Sequence, residues 1–404
     1  MYSEINLTGL FKNLNLTRRG IATLAGLHFF GNASKKLKVI GVTGTNGKTT
    51  VATLLYKTTK ELGHKVGLIS TVENLIDGKQ MSADYNAPST TPDPIFLHKL
   101  LNKMAHEKCE YVFMEVTSHA LDQDRVAGIN FAGGIFTNLT HDHLDYHKNI
   151  ENYFGAKKKF FKMLPTNAFA LSNADDDHGL RMLEGIKARK YTYGFNHKVD
   201  FSQKLETKLI GDFNQYNVLA TYGALALLDI NEGKVREVLK NLDAPRGRFE
   251  NFMSPNGVLV IVDYAHTPDA LENVLKTTQN LRKDNGKIIS VFGCGGDRDP
   301  IKRPIMGKTG ASLSDIAIFT SDNPRGEDPE KIIEEMKTSL SSEELKKVKS
   351  ISDRRQAILE SVKLAQNGDI ILCAGKGHED YQEIKGVKNH FDDMEEYKKA
   401  YDKK

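Results

Sequence analysis

Apolar runs of strand length recur along the chain, and segments with helical spacing of apolar residues separate them. The clearest runs are KVIGVTG, KVGLIS, YVFMEV, GGIFTNLT, VLVIVDYAH, KIISVFGCGG, DIAIFTSDNP and DIILCAGKG. Strands that alternate with helices form parallel sheets whose two faces are covered by helices. The pattern therefore predicts an α/β fold with parallel sheets.

The helical segment after the first run, KTTVATLLYKTTKELG, has Val51, Leu54, Leu55 and Leu62 near one face. Gly63 follows directly, in the position where helices commonly end. We therefore expect a strand, a glycine-rich loop and a helix in that order.

The stretch DAPRGRFENF divides the chain, because Pro245 and Gly247 follow a helical run and precede a new series of strands. We expect a short N-terminal segment (1–36), a central α/β domain (37–245) and a C-terminal α/β domain (246–404).

The stretch GIATLAGLHFFG in the N-terminal segment is too short to span a bilayer. It predicts a short helix packed on the body of the protein. Basic residues flank it, so weak contact with a membrane surface is an alternative. These residues are Arg18, Arg19, Lys35 and Lys36.

The composition is that of an ordinary globular protein of 404 residues, with 39% hydrophobic and 27% charged residues. Its net charge of +4 is small and its basic residues are dispersed, which gives little support to nucleic-acid binding. The three cysteines lie far apart without paired metal-ligand spacing. This spacing indicates reduced thiols in a cytoplasmic protein.

Polar stretches follow the ends of the predicted strands in both domains. They are GTNGKTT, EVTSHALDQDR and TNLTHDHLDYH in the central domain and DYAHTPD, GCGGDRD, SDNPRGE and GKGHED in the C-terminal domain. Ligands of open α/β sheets bind beyond the carboxyl ends of the strands. Two such polar rims predict one cleft between the domains.

The loop GVTGTNGKTT has the composition of a phosphate-binding loop. Glycines at 44 and 47 let backbone N–H groups approach phosphate oxygens, Lys48 neutralises their charge, and a threonine hydroxyl can hold Mg²⁺. The spacing departs from G-x-x-x-x-G-K-[ST], because position 42 is Val and the nearest earlier glycine is Gly41. A glycine turn without a ligand is the alternative.

Two polar positions suggest a cation site. Glu115 is the single acid in an apolar strand, where a carboxylate without a partner is costly and a bound cation would explain it. A salt bridge or a hydrogen-bonded structural acid is the alternative. His143, with Asp142 and His147 close by in sequence, is a second candidate ligand or an ordinary satisfied polar residue.

These motifs, together with GLISTVEN, STTPDP, YFGAKKKFF, GDFNQYNVLA and AGKGHEDYQ, resemble those of the Mur ligases, specifically the MurE type, the UDP-N-acetylmuramoyl-tripeptide synthetases. The resemblance runs in order from about residue 37 to the C-terminus. It implies a central P-loop-type parallel-sheet ATPase domain and a C-terminal Rossmann-like α/β domain. It also implies an ATP-dependent ligase of peptidoglycan precursor synthesis, which activates a carboxylate as an acyl phosphate and joins it to an amine.

The resemblance implies a nucleotide site and a metal site. The expected ATP-binding residues are Gly44, Thr45, Asn46, Gly47, Lys48, Thr49, Thr50, Asn214, Asn217, Asp263 and His266. The expected ligands of two Mg²⁺ ions are Thr49, Glu115, His143 and Lys157. Lys157 aligns with a lysine that becomes carbamoylated in the family, and Lys48, Lys157 and His143 form the expected catalytic set.

The resemblance also implies sites for a muramoyl-dipeptide and a diamino acid. Thr90, Thr91, Thr117, Gln123 and Arg125 would bind the muramoyl-peptide. The motif DNPR resembles the version associated with meso-diaminopimelate, and the amino-acid-binding residues would be Arg298, Asp322, Asn323, Arg325, Gly375 and Glu379. For Arg325 the alternative is a surface salt bridge with Glu327 or Asp328.

The chain departs from the family at several points. Only some 37 residues precede the first motif strand, so most of the usual N-terminal UDP-binding domain, about a hundred residues, is expected to be missing. The chain would then hold the UDP-linked substrate with fewer uridine contacts, use a separate partner, or act on a muramoyl-peptide carried differently. Thr117 replaces the usual Ser, Asp124 the common Gly, and His141 the common Arg or Gln.

Other functions stay open on the sequence. They are lysine addition, a polyglutamate ligase such as folylpolyglutamate synthase, and a non-catalytic nucleotide-dependent binding module. We favour the diaminopimelate-adding enzyme, acting as a cytoplasmic monomer on small-molecule substrates.

Overall fold

A computed structural model describes residues 20, 23–81, 90–140, 142–283 and 286–402. It divides into two compact units, Met1–Leu209 with Phe213–Leu242 and Ile210–Asp212 with Asp243–Lys404. Arg18 and Arg19, which are half of the predicted basic flank, and His141 lie outside the described residues. None of the helices among the described residues is long and apolar enough to cross a membrane.

The first unit contains an eight-stranded sheet in the order β4-β3-β2-β5-β1-β6-β7-β8. Its strands are β1 (Lys38–Thr43), β2 (Val66–Ile69), β3 (Asn74–Ile76), β4 (Lys79–Gln80), β5 (Tyr111–Glu115), β6 (Phe131–Phe136), β7 (Phe169–Asn173) and β8 (Arg189–Tyr193). All pairs are parallel except those that β3 makes with β2 and β4. The central strand β1 is buried from Val39 to Thr43, as its apolar run predicts.

Helices cover this sheet. They are α1 (Lys48–Glu61), α2 (Pro94–His106), α3 (Ser118–Asp122), α4 (Leu144–His147), α5 (Ile150–Met163), α6 (Gly179–Met182), α7 (Asp212–Ala226) and α8 (Glu232–Asn241). The predicted strand, loop and helix around residue 48 are confirmed, and Gly63 follows the helix with a φ of 91°. The predicted N-terminal helix is π-helical over Ala25–Phe29, and its Gly26 lies against His98 of α2.

The second unit contains a six-stranded sheet in the order β13-β12-β11-β14-β10-β9 and a separate hairpin, β15–β16. The strands are β9 (Glu250–Met253), β10 (Leu259–Asp263), β11 (Ile288–Phe292), β12 (Ile316–Phe319), β13 (Val348–Ser350), β14 (Ile370–Ala374), β15 (Tyr381–Ile384) and β16 (Val387–His390). Only the edge strand β9 is antiparallel within the larger sheet.

Two apolar clusters cover the faces of this second sheet, one around Phe292 and Phe319 and one around Val291 and Tyr397. The helices are α9 (Pro268–Leu281), α10 (Lys302–Leu313), α11 (Pro329–Lys337), α12 (Ser342–Leu345), α13 (Arg354–Leu364) and α14 (Asp393–Asp402). Because neighbouring strands run parallel, the polar stretches after them meet at one edge of each sheet. The α/β fold class predicted from the alternating pattern is confirmed.

Candidate functional site

The glycine-rich loop joins β1 to α1. Gly47 precedes the helix with a φ of 83°, and a Cβ on it would lie 2.4 Å from Oδ1 of Asn217. Only glycine fits there without displacing Asn217. Thr49 and Thr50 are buried in the first turn of α1, whose N-terminal amides favour an anion.

Two lysines converge on this loop. Lys48 Nζ donates hydrogen bonds to the backbone oxygens of Gly44 at 2.9 Å and Thr45 at 2.7 Å. Lys157 Nζ, from α5, donates to the same Gly44 oxygen at 2.7 Å. The two ammonium groups thus lie beside the loop expected to hold phosphates.

Lys157 is buried, with 1% of its surface exposed, and its Nζ lies 4.3 Å from the centre of the Tyr153 ring. Burial lowers the pKa of Lys157 well below its ordinary value, and the nearby charge of Lys48 adds to this effect. A neutral amine is therefore more accessible at Lys157 than at an exposed lysine. Lys158 and Lys159, which the sequence could not separate from Lys157, lie elsewhere: Lys158 contacts the oxygen of Arg181, and Lys159 pairs with Asp122.

Glu115 ends β5 and is 1% exposed. Its carboxylate accepts hydrogen bonds from Thr71, at 2.7 Å from the backbone N and 3.2 Å from the hydroxyl. Among the described residues it forms no ion pair. The sequence left two alternatives to a bound cation at Glu115. No salt bridge to Glu115 occurs in the described part of the chain, whereas its hydrogen bonds with Thr71 fit the second alternative, a hydrogen-bonded structural acid.

His143 lies before α4 with a left-handed backbone, and its Nε2 is 3.3 Å from Asp142. Loss of solvation lowers the pKa of His143 to about 4, although Asp142 opposes the shift and 45% of the side chain is exposed. His119 and Tyr153 lie around it, with ring centres at 4.8 and 6.1 Å. His147 is directed elsewhere, with its Nε2 3.0 Å from the hydroxyl of Ser118.

No group of three or more His, Cys, Asp or Glu side chains with metal-binding geometry occurs among the described residues. The expected Mg²⁺ ligands would not form such a group, because two of the four are the hydroxyl of Thr49 and the side chain of Lys157. The metal set therefore stays a prediction.

The five residues expected to hold the muramoyl-peptide form one hydrogen-bonded network. Thr91 donates to the oxygen of Glu115 at 3.0 Å and lies 3.2 Å from the hydroxyl of Thr117, and Thr90 contacts Thr71 at 3.0 Å. Arg125 donates to the oxygen of Thr91 at 2.9 Å and to Gln123 at 2.7 and 3.0 Å. This network is continuous with Glu115.

The residues expected around the nucleotide fall in both units. Asn217 donates to Asn214 at 3.0 Å within α7 and lies against Gly47. In the second unit, Asp263 accepts from the backbone N–H groups of Phe249 and Ala265, both at 2.8 Å. His266 lies in the loop that follows Asp263, with Nδ1 2.9 Å from the oxygen of Tyr264.

In the second unit, the residues expected to bind an amino acid are close together. Asn323 Nδ2 donates to Glu379 at 2.7 Å, and the backbone N of Asn323 donates to Asp322 at 2.7 Å. Gly375 has a φ of 114°, and a Cβ on it would lie 2.6 Å from Oδ2 of Asp322. Burial raises the pKa of Glu379, and the nearby Asp322 raises it further.

Arg325 adjoins this acidic group. Its backbone N donates to the oxygen of Glu383 at 3.0 Å and its guanidinium donates to the oxygen of Gly296 at 2.8 Å. A Cβ on Gly295 would lie 2.9 Å from Arg325 and 3.6 Å from Cγ of the exposed Arg298, so both arginines line one loop.

The alternative of a surface salt bridge from Arg325 to Glu327 or Asp328 is wrong. The acid that forms an ion pair with Arg325 is Glu383, whose Oε2 lies 3.7 Å from Nε of Arg325. Glu327 instead binds the buried Arg303 at 2.8 and 2.9 Å, and Asp328 caps α11.

Sequence reasoning missed three residues that support these groups. Thr71 holds Glu115, and Lys376, which is fully buried, contacts both Asn323 and Glu379. Arg354 forms a fully buried ion pair with Asp393 at 2.7 Å and donates to the oxygens of Ser321 and Ala374. Lys376 lies within GKGHED, whereas no local signal marks the other two.

The chain is similar to known proteins over most of its length. Residues 42–225 match the Mur ligase middle domain, and residues 247–377 match the Mur ligase, glutamate ligase domain. The chain is 51% identical to the UDP-N-acetylmuramoyl-L-alanyl-D-glutamate–2,6-diaminopimelate ligase of Bacteroides thetaiotaomicron, over 92% of this chain and 80% of that protein. It is 45% identical to the ligase of the same name from Clostridioides difficile, over 94% of this chain and 81% of that protein.

Solved structures are also similar. A UDP-N-acetylmuramoyl-L-alanyl-D-glutamate–2,6-diaminopimelate ligase is 33% identical, covers 96% of this chain and 82% of its own, and superposes with a TM-score of 0.67. The folylpolyglutamate synthase of Mycobacterium tuberculosis, complexed with ADP, has a TM-score of 0.70 at 17% identity, over 91% of this chain and 95% of its own. The second likeness concerns the fold alone.

Proposed function

The chain belongs to the Mur ligase family, and we propose that it uses ATP to join meso-diaminopimelate to UDP-N-acetylmuramoyl-L-alanyl-D-glutamate. The observation that carries the choice of amino acid is the cluster of Asp322, Asn323 and Glu379 beside Arg325. Diaminopimelate has a remote amino-acid centre, whose ammonium requires acids and whose carboxylate requires a cation. Asp322 and Glu379 supply the acids, and Arg325 with Arg298 supplies the cations.

The reaction has two steps. The terminal phosphoryl group of ATP passes to the glutamyl carboxylate, which gives an acyl phosphate and ADP. The amine of the incoming amino acid then attacks the acyl carbon, the carbon–oxygen bond to phosphate breaks, and a proton is released. Phosphorylation is needed because a carboxylate is a poor electrophile and a poor source of a leaving group.

In this proposal the first unit stabilises the charge of the phosphates. Lys48 gives up its hydrogen bonds to the loop carbonyls and binds phosphate oxygens instead. The backbone amides of Gly47, Lys48 and Thr49, at the start of α1, donate to the same phosphates. Asn217 keeps the loop in place by contact with Gly47. The network of Thr91, Thr117 and Arg125 holds the peptide substrate.

The residues present fit Mg²⁺. Glu115 is a buried carboxylate without an ion pair among the described residues, and oxygen is the ligand that Mg²⁺ prefers. Thr49, Glu115, His143 and Lys157 would hold two ions, which supply positive charge for the phosphoryl oxygens. Lys157 fits only after its own charge is inverted.

Carbamoylation of Lys157 would invert that charge. A neutral amine adds to carbon dioxide, one N–H proton leaves, and the product is an anionic carbamate. Burial and Lys48 favour the neutral amine that this addition requires, because both lower the pKa of Lys157.

The test is a panel of amino acids with ATP and UDP-N-acetylmuramoyl-L-alanyl-D-glutamate, followed by phosphate release and product mass. We expect turnover with meso-diaminopimelate and little with L-lysine or L-glutamate. Preference for lysine or glutamate would contradict the amino-acid assignment, and ATP hydrolysis that no substrate stimulates would favour a binding module.

A second panel tests the carrier of the muramoyl-peptide. The chain spans about four-fifths of the length of its curated relatives. We propose that it nonetheless takes the UDP-linked form, so a muramoyl-dipeptide without UDP should be the poorer substrate. Equal use of the two forms would contradict this part of the proposal.

The state of the protein in the cell is also a proposal. We infer a cytoplasmic monomer built from segments 1–36, 37–245 and 246–404. Light scattering of the purified protein and cell fractionation test its mass and its location, and release from membranes by salt would identify surface contact.

A further inference from the structure

Lys376 is the buried cation of the amino-acid cluster. It lies in the loop after β14 and none of its surface is exposed. Its Nζ is 3.2 Å from Oε2 of Glu379 and 3.4 Å from Oδ1 of Asn323, and it also contacts the oxygen of Tyr381. A buried ammonium with three acceptors is fixed in position. If it moved, it would lose a hydrogen bond that water cannot replace, because the site is buried.

These contacts determine how Asn323 and Glu379 are oriented. Oδ1 of Asn323 accepts hydrogen bonds from Nζ of Lys376 and, at 2.9 Å, from the backbone N of Glu383. Because these bonds fix the amide group, Nδ2 of Asn323 is directed to Oε2 of Glu379, at 2.7 Å. Oε2 of Glu379 therefore has two donors. No donor from the described residues contacts its other oxygen, Oε1, which is left to accept a ligand.

Burial and a neighbouring acid oppose the ionisation of Glu379, whereas Lys376 favours it. Burial raises the pKa of Glu379, and Asp322 lies near enough to raise it further. Glu379 in turn lies near enough to Tyr264 to raise the pKa of that phenol. Lys376 lowers the pKa of Glu379 and is the cation in direct contact. His378 lies next to Glu379 in the chain, and burial keeps it neutral with a pKa of about 4.

We propose that Lys376 is a positioning residue, whose buried ammonium fixes the charge and the orientation of Glu379 for the remote ammonium of the amino-acid substrate. The inference rests on the proposed function of this cluster. Lys376 acts through Glu379 and Asn323, and its role is to make the pocket select a diamino acid over an amino acid that lacks the second amine.

The experiment compares meso-diaminopimelate with 2-aminopimelate, which keeps the remote carboxylate and lacks the remote amine. In Lys376→Met, we expect KM for meso-diaminopimelate to rise by about tenfold to a hundredfold. This is the usual loss of affinity when one hydrogen bond to a charged group is removed. KM for 2-aminopimelate should change little, so discrimination between the two should fall by a similar factor. A merely structural loss would weaken both substrates equally.

The pH profile provides a second readout. A carboxylate whose pKa is raised loses its charge as pH falls through that pKa. Without Lys376 this pKa is higher still, so KM for meso-diaminopimelate should begin to rise at a higher pH in the variant than in the wild type. Lys388→Met, which removes an exposed lysine from β16, is the matched control and should retain the wild-type profile.

The outcomes separate the two proposals. If the wild type uses neither amino acid, the proposed function is wrong and this inference fails with it. If the wild type discriminates and Lys376→Met discriminates equally well with an unchanged pH profile, only the inference is wrong. Lys376→Gln, which retains a donor but no charge, should show the same loss if Lys376→Met does not fold.

Discussion

Lys48 and Lys157 donate hydrogen bonds to one backbone oxygen, that of Gly44, at 2.9 and 2.7 Å. The two lysines are 109 positions apart in the chain (157 minus 48) and come from different helices. They differ in surroundings, because Lys157 is buried and Lys48 is partly exposed. The same oxygen of the glycine loop is therefore contacted by two lysines, of which the buried Lys157 is the one whose pKa burial lowers well below its ordinary value.

Lys48→Ala should abolish turnover while the protein stays folded. The substitution removes the lysine that contacts the glycine loop at two of its backbone oxygens, and the loss of one such stabilising group costs a reaction about a hundredfold or more. Phosphate release with all substrates present measures the effect. Lys57→Ala, on the same helix, is the control, and a Lys48 variant with more than about a tenth of wild-type activity would contradict the assignment.

Lys157 should carry a carbamate. Protein incubated with isotopically labelled bicarbonate should show a carbamate carbon signal by NMR, which Lys157→Ala lacks. The amount should fall as pH decreases, because protonation of the amine competes with addition of carbon dioxide. A wild-type spectrum that matches that of Lys157→Ala would remove Lys157 from the metal set.

Arg325→Ala should mainly raise KM for meso-diaminopimelate, by about tenfold to a hundredfold, and leave KM for ATP nearly unchanged. The reason is that the lost guanidinium would bind a carboxylate that takes no part in the chemistry. Initial rates over a range of amino-acid concentrations measure it. Arg282→Ala, which removes an exposed arginine paired with Asp315, is the control. Unchanged use of diaminopimelate by Arg325→Ala would show that the specificity assignment is wrong.

Arg354→Met should lower the free energy of unfolding by about 3–5 kcal/mol, because it leaves Asp393 as a buried charge without its partner. Urea denaturation measures the loss. The neighbouring Arg355 pairs with Glu396 at a partly exposed site, and Arg355→Ala should cost only about 0–1 kcal/mol. The double variant Arg354→Met/Asp393→Leu should recover part of the loss, and equal effects of Arg354→Met and Arg355→Ala would contradict this reading.

Stability should depend on pH through His378. Burial, together with Arg248 and Arg246, lowers the pKa of His378 from 6.5 to about 4. Between these values the unfolded chain binds more protons than the folded one, so the free energy of unfolding falls as pH falls. In urea denaturation over this range, His378→Gln should lose stability less steeply than the wild type. The exposed His106→Gln should follow the wild type, and identical slopes for all three would contradict the prediction.

The sequence predicted the strands and the polar stretches after them, because long buried runs leave a clear apolar signal. All eight predicted runs form strands, and their ends carry the candidate residues. The other eight strands, β3, β4, β7, β8, β9, β13, β15 and β16, were not predicted, although β7 is buried along its whole length. Three of them are very short: β4 and β13 are edge strands of two and three residues, and β3 has three residues. Their pairing depends on the neighbouring strand rather than on their own pattern.

Residues that act through others could not be predicted in this way. Lys376 looks like any lysine in a glycine-rich loop, and only the fold shows that its ammonium is buried between Asn323 and Glu379. Arg354 and Asp393 are 39 positions apart, and each resembles a surface charge at a helix start. Whether a charged side chain is buried depends on how the whole chain packs, and a single sequence does not reveal this.

The ion pair of Arg354 with Asp393 has a consequence for biosynthesis. Asp393 belongs to α14, the last helix of the described residues, whereas Arg354 donates hydrogen bonds to the oxygens of Ser321 and Ala374, just before Asp322 and Gly375. A chain emerging from the ribosome presents all the residues of the amino-acid cluster before the partner of Arg354 has been made. The ion pair behind the loops of that cluster can therefore form only when translation has delivered α14, and a message truncated before it would yield a product in which the Arg354 guanidinium lacks this counter-ion.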